Sequence, residues 1–416
     1  MVVTAPAGRR TNVRRWYALA LVYLAVGLST AMAGPFLTLF LTSTVHASPL
    51  QVTVYLVVAP LSAVIVSTLL GRLSDRRAIR RRLLIGAALA GCAGSAMFAV
   101  VRDYWILLIL VASAAATAGA LVSQVFAYAR TAMGGSGRTA MTLGSLRTLF
   151  SVAWVAGPPA AAVVLETGGF TAVYAFSAVM YAVAALIAYL GLPEQQPAAV
   201  RKAEADPADG IGVDAPLRVI RLTQAAFVLF QCGSSLSVQL VSLFVRHDLH
   251  GNIRDAGLIL GLCAGLEVPL MLGLSMLAAR VPVRRLVLAG PAFAIAYFAT
   301  AAMTTHTWQL AVAQILNACA IAAIQGMGVT YFQDLMPTQP GRASTLYSNG
   351  FPAGAMLAGP ILGIATKIGY RYGFAAAAVL AMAGFVLLLL NRPPAVGSVP
   401  VHADAPATAA SACLPA

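Results

Sequence analysis

Apolar runs long enough to cross a lipid bilayer recur from one end of this chain to the other, and that repetition restricts it to one architecture. On a template of roughly 20 apolar residues per crossing, we count twelve spans. The first six lie at about 16–42, 49–70, 83–101, 104–129, 140–165 and 170–192. The second six lie at about 222–245, 256–279, 285–304, 308–332, 343–366 and 371–391. No water-soluble core could hide so much apolar surface. The chain is 60% hydrophobic and 10% charged, with a mean hydropathy of +0.84, against about 25% charged residues in soluble domains. Inside lipid each run must satisfy its own backbone polar groups, so the runs read as helices. The expected class is an all-α membrane protein.

The charge sits between the runs. Gly71–Arg82, reading GRLSDRRAIRRR, holds six arginines and one aspartate and cannot enter hydrocarbon. It therefore sets the two flanking helices antiparallel, with this end in the cytoplasm. With both termini on that side, 21 of the 27 Lys and Arg residues fall inside and five outside, while Arg147 lies within a span. Such a bias fixes orientation in a bacterial inner membrane. The net charge of +14 is thus an orientation signal with no contiguous face for nucleic acid. The five cysteines are scattered without a C-x-x-C, which argues against a disulfide framework or a metal site. The first apolar run, from Trp16, reads as a span and not as a cleaved leader.

Residues 193–221 form a Pro-, Ala- and charge-rich connector without apolar periodicity. It divides a first bundle, 1–192, from a second, 222–392, and a Pro- and Ala-rich tail from 393 is expected to be disordered. The halves echo each other. Gly137-Arg138 and Gly157-Pro158 in span five match Gly341-Arg342 and Gly359-Pro360 in span eleven, and Gly71 has a counterpart in Gly273. Two parallel six-helix repeats are how a rocking transporter with a central site is built. In addition, Gly71, Asp75, Arg76, Arg80 and Arg81 resemble the loop between helices two and three of major facilitator transporters, although Ala78 stands where that family has glycine. The resemblance implies the major facilitator fold of two pseudosymmetric six-helix bundles. In that fold Gly71, Asp75 and Arg76 would form a conformational latch, with Asp75 engaging the positive N-terminus of span eleven.

Glu267 is the one carboxylate deep in a span, 12 residues from Asp255 and 13 from Arg280. An acid at that depth costs roughly 2.5–3.5 kcal/mol, so it must be paired, protonated or wetted by a cavity. Arg147, nine residues into span five from Arg138, is the one deep base and needs an anion, carbonyls or water. Helices five and eight are neighbours in the major facilitator fold. Arg147 and Glu267 can therefore form either a pair that opens when substrate or a proton arrives, or a permanent structural pair.

Other polar residues fall in stripes. Gln231, Ser235, Gln239 and Ser242 share one face of span seven, and Gln314, Asn317 and Gln325 line up in span ten. Thr117, Gln124 and Tyr128 do so in span four, and Tyr23, Gly27, Thr30 and Gly34 in span one; Ser151 and Trp154 follow Arg147, and span eleven offers Asn349. Amides and hydroxyls beside aromatic rings suit a neutral polyhydroxylated ligand. The same small polar residues also pack membrane helices together, so each stripe has two readings. Gly157-Pro158-Pro159 resembles the glycine-proline signature of exporter-type facilitators. No acid or histidine cluster suggests a metal, no phosphate loop suggests ATP, and no nucleophile, base and acid are grouped for catalysis. We therefore expect no cofactor and no enzyme activity.

Four stretches taken together resemble the sugar efflux transporter family of the major facilitators. They are LRTLFSVAWVAGPP at 146–159, AGLEVPLM at 264–271, YFQDLMP at 331–337 and FAYAR at 126–130. That resemblance implies efflux of sugars or small glycosides across a bacterial inner membrane in exchange for protons. Glu267 would be the coupling acid, and Arg147 with the striped residues would bind substrate. We expect a monomer. The alternative within transport is a multidrug or antibiotic exporter, and a sugar-sensing receptor is disfavoured because neither connector nor tail offers an output domain.

Overall fold

The computed structural model describes residues 7–76, 79–133, 137–194 and 214–391; within these, the side chains at 7–14, 75–76, 126–127, 130–148 and 340 lie outside the described residues. Every element is helical. Span one runs as Ala7–Ala33, tightens into a single 3-10 turn at Gly34–Phe36 where Pro35 interrupts the ladder, and continues as Leu37–Ser43. Span two is Pro49–Arg76 and span three Arg80–Val100. Span four begins at Tyr104, where the Asp103 carboxylate accepts from the Ile106 N–H (3.0 Å), passes through a π turn at Val111–Ala115 and ends at Met133. The second half comprises span seven, Leu217–His247; span eight, Ile253–Leu277; span nine, Val283–Met303; span ten, Thr307–Leu335; span eleven, Pro340–Ile368; and span twelve, Tyr370–Leu390.

Spans five and six follow each other directly within the stretch Gly137–Gly191. Its apolar part alone, Leu149–Gly191, has 43 residues and would reach about 65 Å as a straight helix, twice the hydrocarbon thickness. Gly169 resolves this, because its φ of 63° and ψ of −168° break the helical path and fold span six back. The sequence-based boundary between spans falls at the same place. Span seven starts one turn earlier than its apolar pattern predicts, at Leu217. Of the connector, residues 195–213 lie outside the described residues, as does the tail from 392.

The internal repeat is deeper than its glycine-proline markers suggest. At the end opposite the arginine-rich loop, here the far end, the turn after span one is closed by Val45 N–H to Phe40 O (3.2 Å) and Ala47 N–H to Leu41 O (2.8 Å). The turn after span seven repeats this 204 residues later, with Leu249 N–H to Phe244 O (3.1 Å) and Gly251 N–H to Val245 O (2.8 Å). Each places a histidine in the left-handed region usually given to glycine at such helix ends, His46 at φ 57° and His250 at φ 50°. Each then opens the next helix with a capping box, Ser48 with Gln51 and Asn252 with Asp255.

At the arginine-rich end the correspondence continues. Arg81 donates to the Tyr189 carbonyl at the end of span six (2.6 Å), and Arg284 donates to the Leu388 carbonyl at the end of span twelve (3.1 Å). Each cation thereby meets the negative end of a helix. At the far end the halves fill one position from different places in the chain. Arg102, from the loop after span three, lies 5.5 Å over Phe40 and caps the Phe98 and Ala99 carbonyls. Arg371, from the start of span twelve, lies 5.4 Å over Phe244 and caps Ala302.

Packing follows the same symmetry. Span one lies against five and six: a Cβ on Gly157 would stand 2.5 Å from that of Ala31, one on Gly191 2.7 Å from that of Ala18, and Ser29 and Ser177 each donate to the other's carbonyl. Span seven lies against eleven and twelve through Gly354 and Gly384. The largest buried cluster belongs mainly to the second half but includes Met32, Phe36, Leu39, Ala161, Ala162, Leu165 and Val173 of the first. All seven lie towards the far end of their helices, so the halves are sealed together there.

Candidate functional site: a cavity between the two halves

Two seams close the far end, both built on glycines four residues apart. In span eight, Gly257 and Gly261 let the helix approach Pro158, Ala162, Val155 and Pro159 of span five so closely that a Cβ on either would fall within 2.8 Å of a span-five carbonyl oxygen. In span eleven, Gly359 and Gly363 lie close to Pro49, Thr53 and Leu56 of span two, where a Cβ would stand 3.2 Å from the Thr53 carbonyl oxygen and 2.9 Å from that of Pro49. This is the small-residue spacing by which membrane helices pack backbone to backbone. Polar contacts reinforce the seams. Thr38 donates to the Gln239 amide oxygen (2.6 Å), Gln239 donates to the Gly34 carbonyl (3.2 Å), and Ser242 donates to the Pro35 carbonyl (3.1 Å). Arg254 of span eight pairs with Glu166 of span five at 2.5 Å. At the arginine-rich end, by contrast, a Cβ on Gly71 or Gly341 would meet nothing within 4 Å among the described residues.

Below this seal lies a cavity of about 710 Å³ between the halves, within the range of small-molecule sites. Its walls differ. The first half contributes Tyr23, Leu56, Pro60, Val122, Phe150, Ser151 and Trp154, mostly rings and aliphatic groups. The second half contributes Gln231, three serines at 234, 235 and 237, Gln239, Cys263, Glu267, Asn317 and Gln325, interleaved with apolar residues that include Leu260, Met271, Ile321, Phe351 and Leu362. Span eight presents Leu260, Cys263, Ala264, Glu267 and Met271, a stripe at helical spacing that brings Glu267 to the cavity surface. Two wall donors, Trp154 Nε1 and Gln231 Nε2, are buried with no hydrogen-bond partner among the described residues.

The residues singled out from sequence therefore divide. Tyr23, Trp154, Gln231, Gln239, Glu267, Asn317 and Gln325 all line the cavity, and Gln239 also uses both ends of its amide to hold span one against span seven. Gln314 stands behind the wall, fully buried, donating to Tyr297 and accepting from Asn317. Gln124 is buried within the first half, its amide oxygen without a partner among the described residues, and Asn349 is exposed; neither is a wall residue. Arg147 is in span five, one turn before Ser151, but its side chain lies outside the described residues, as do those of Asp75 and Arg76. Sequence reasoning missed Ser234, Ser237, Phe150 and Cys263 as wall residues and Tyr297 behind them. Among the described residues no group of acids, histidines or cysteines could hold a metal ion.

The comparisons agree with this architecture. The profile of the Major Facilitator Superfamily matches residues 19–304 and 223–413. A Deinococcus radiodurans protein, provisionally called a sugar efflux transporter, is 37% identical over 390 residues, covering 90% of this chain and 98% of its own. Sugar efflux transporter B of Salmonella typhimurium is 35% identical over 355 residues, 84% of this chain and 88% of its own. Among solved structures, the nucleoside transporter NupG superposes with a TM-score of 0.68 at 15% identity, covering 92% of this chain and 98% of that one. The peptide transporter POT in complex with sulfate superposes with a TM-score of 0.72 at 12% identity, covering 91% and 93%. Those two likenesses concern the fold alone.

Proposed function

The chain belongs to the sugar efflux transporter family of the major facilitator superfamily, and from that premise we propose that it exports a sugar or small glycoside across a bacterial inner membrane by alternating access, driven by inward proton flow. The observation that carries this reading is a cavity whose wall combines ring faces with amides and hydroxyls. A sugar has C–H faces that stack on rings and hydroxyls that each need a donor and an acceptor. Tyr23, Phe150 and Trp154 offer the rings, and the amides and serines of spans seven and ten offer the polar partners. Trp154 Nε1 and Gln231 Nε2 supply two N–H donors that a ligand oxygen would satisfy.

Glu267 is the proton carrier in this proposal. It lies on the cavity surface near the middle of span eight, where protonation and substrate binding can compete. Arg147, placed by register one turn nearer the arginine-rich end than Ser151, forms the pair with Glu267 that opens during the cycle. The arginine-rich end faces the cytoplasm and the protein works as a monomer. A broader exporter of lipophilic drugs is favoured only by the aromatic character of the first-half wall.

Uptake of labelled lactose, glucose and a cationic dye into inverted vesicles, with and without a pH gradient, tests the proposal. Gradient-driven accumulation of sugar is expected, and accumulation of dye but neither sugar would support the drug exporter instead. Glu267→Gln should abolish pH-driven transport while leaving substrate counterflow intact; unchanged pH-driven transport removes the carrier role. A charge swap, Arg147→Glu with Glu267→Arg, that is no more active than either single change would argue against direct pairing.

A further inference from the structure

A chain of hydrogen bonds leaves the cavity wall at Ser237, passes behind it and returns at Asn317. Ser237 and Tyr297 share a bond of 3.0 Å, Gln314 Nε2 donates to the Tyr297 hydroxyl (3.1 Å), Asn317 Nδ2 donates to Gln314 Oε1 (2.8 Å), and the same Nδ2 reaches Cys263 Sγ (3.4 Å). Four helices contribute, spans seven, nine, ten and eight. The middle of the chain is dry, since Tyr297 and Gln314 are fully buried, while Ser237, Cys263 and Asn317 line the cavity.

Donor accounting fixes the direction of every bond. A tyrosine hydroxyl has one proton to give, and a buried donor left unused costs the full desolvation of that group. Tyr297 accepts from Gln314, so its own proton has only Ser237 Oγ to go to. Ser237 then accepts, and its own proton, with no acceptor among the described residues, faces the cavity. At the other end, the two N–H groups of Asn317 are taken by Gln314 Oε1 and Cys263 Sγ, which leaves Oδ1 for the cavity. The two ends are thus of opposite sense.

We infer that Tyr297 and Gln314 are positioning residues that hold Ser237 as a donor and Asn317 as an acceptor towards the ligand. This rests on the sugar-binding reading and sharpens it, because such a pair selects a solute that can both give and take a hydrogen bond, as a hydroxyl does. A cationic amine has nothing to accept Ser237, and a ketone or ether has nothing to give Asn317. Specificity for hydroxylated cargo is therefore set in part by two side chains that never touch it.

The polarity can be reversed without disturbing the fold. In Ser237→Ala the Tyr297 proton loses its acceptor and turns to Gln314, whose amide flips to receive it; Asn317 follows, presenting Nδ2 to the cavity and Oδ1 to Cys263. Purified protein in nanodiscs is treated with N-ethylmaleimide and alkylation at Cys263 is followed by mass spectrometry, with no sugar present. Loss of the N–H donor on sulfur disfavours the reactive thiolate, so Ser237→Ala should slow alkylation about fivefold, the worth of one ordinary hydrogen bond. Tyr297→Phe, which ends the chain one step later, should slow it less. A second arm measures competition with glucose flux by deoxy and deoxyfluoro glucoses, fluorine being able to accept but not to donate. In the parent protein, at the position that serves Asn317, the fluoro sugar should compete as poorly as the deoxy sugar, and in Ser237→Ala it should recover. Cys263 rates equal to the parent's in both variants, or a Cys263 that never reacts, overturn the inference. If the parent moves no sugar while Ser237→Ala still slows alkylation of Cys263, the sugar reading is overturned and the hydrogen-bond polarity stands.

Discussion

Replacing Gly261 by alanine tests whether the far-end seams are what hold this conformation. A Cβ at Gly261 would lie 2.6 Å from Pro159 Cγ and 2.8 Å from the Val155 carbonyl oxygen, short of the 3.4 Å of ordinary contact by about 0.6 Å for the carbonyl. Because the obstructing oxygen is backbone, no rotamer change relieves it, and spans five and eight must separate. Overpacking of this kind costs about 1–3 kcal/mol. On the proposed cycle the cost falls only on the state closed at the far end. The equilibrium towards far-end opening should then rise between about fivefold and about a hundredfold. Leu362, buried at 1% exposure on the sealed side of the cavity, is a suitable reporter when changed to cysteine in a background lacking the other thiols. A membrane-impermeant maleimide applied at the face where spans two and eight begin should label it faster by that factor in Gly261→Ala. Gly86→Ala, where a Cβ meets nothing within 4 Å, is the control and should label like the parent. The reasoning is refuted if Gly261→Ala stays folded and labels no faster, or if both variants change alike.

Three further outcomes are expected. Gly71→Leu meets open space among the described residues in this conformation, so thermal stability should hold while transport stops, since the proposed latch needs a small residue when the arginine-rich end closes; normal efflux would remove the latch. His250→Gly should raise Tm in detergent, by relief of about 1 kcal/mol of left-handed strain, and an unchanged or lower Tm would refute that strain. Asp214, at the end of the connector, is held below the usual carboxylate range by hydrogen bonds from Thr338 and then Gln339, with Arg342 nearby. A depressed carboxylate stabilises above its unfolded value, about 3.9, and loses that contribution as pH falls through its folded one. Exchange of the Ala215 N–H, which donates to Leu335 O, should accelerate only below about pH 4, and Asp214→Asn should remove that step.

The number and order of spans were legible because membrane length and basic loops are one-dimensional signals. The fold-back between spans five and six could be placed because the apolar stretch is too long for one crossing. The polar stripes were less decisive, and the reason is physical: a polar face says only that lipid is not there. Gln231 and Asn317 face the cavity, Gln239 faces it while binding the neighbouring half, and Gln314 turns into the bundle interior. All four look alike on a helical wheel. The seams were hidden for another reason. Gly257 and Gly261 sit in an ordinary apolar run, and the significance of their spacing depends on what lies opposite. The matching turns at His46 and His250 share almost no side chains, only a backbone path. The positions of Arg102 and Arg371 could not be paired from sequence, because equal places in space are filled from unequal places in the chain.

The unlike walls of the cavity carry one consequence for how cargo travels. Hydrogen bonds hold a solute in place more firmly than ring faces do, and among the described wall residues most of the hydrogen-bonding groups belong to the second bundle, with Tyr23, Ser151 and Trp154 on the first. When the bundles part, a bound molecule should ride as a passenger on that bundle while the aromatic side peels away from it. Discharge would then be governed by how quickly water replaces the amides' and serines' grip, and the first bundle would behave as a door.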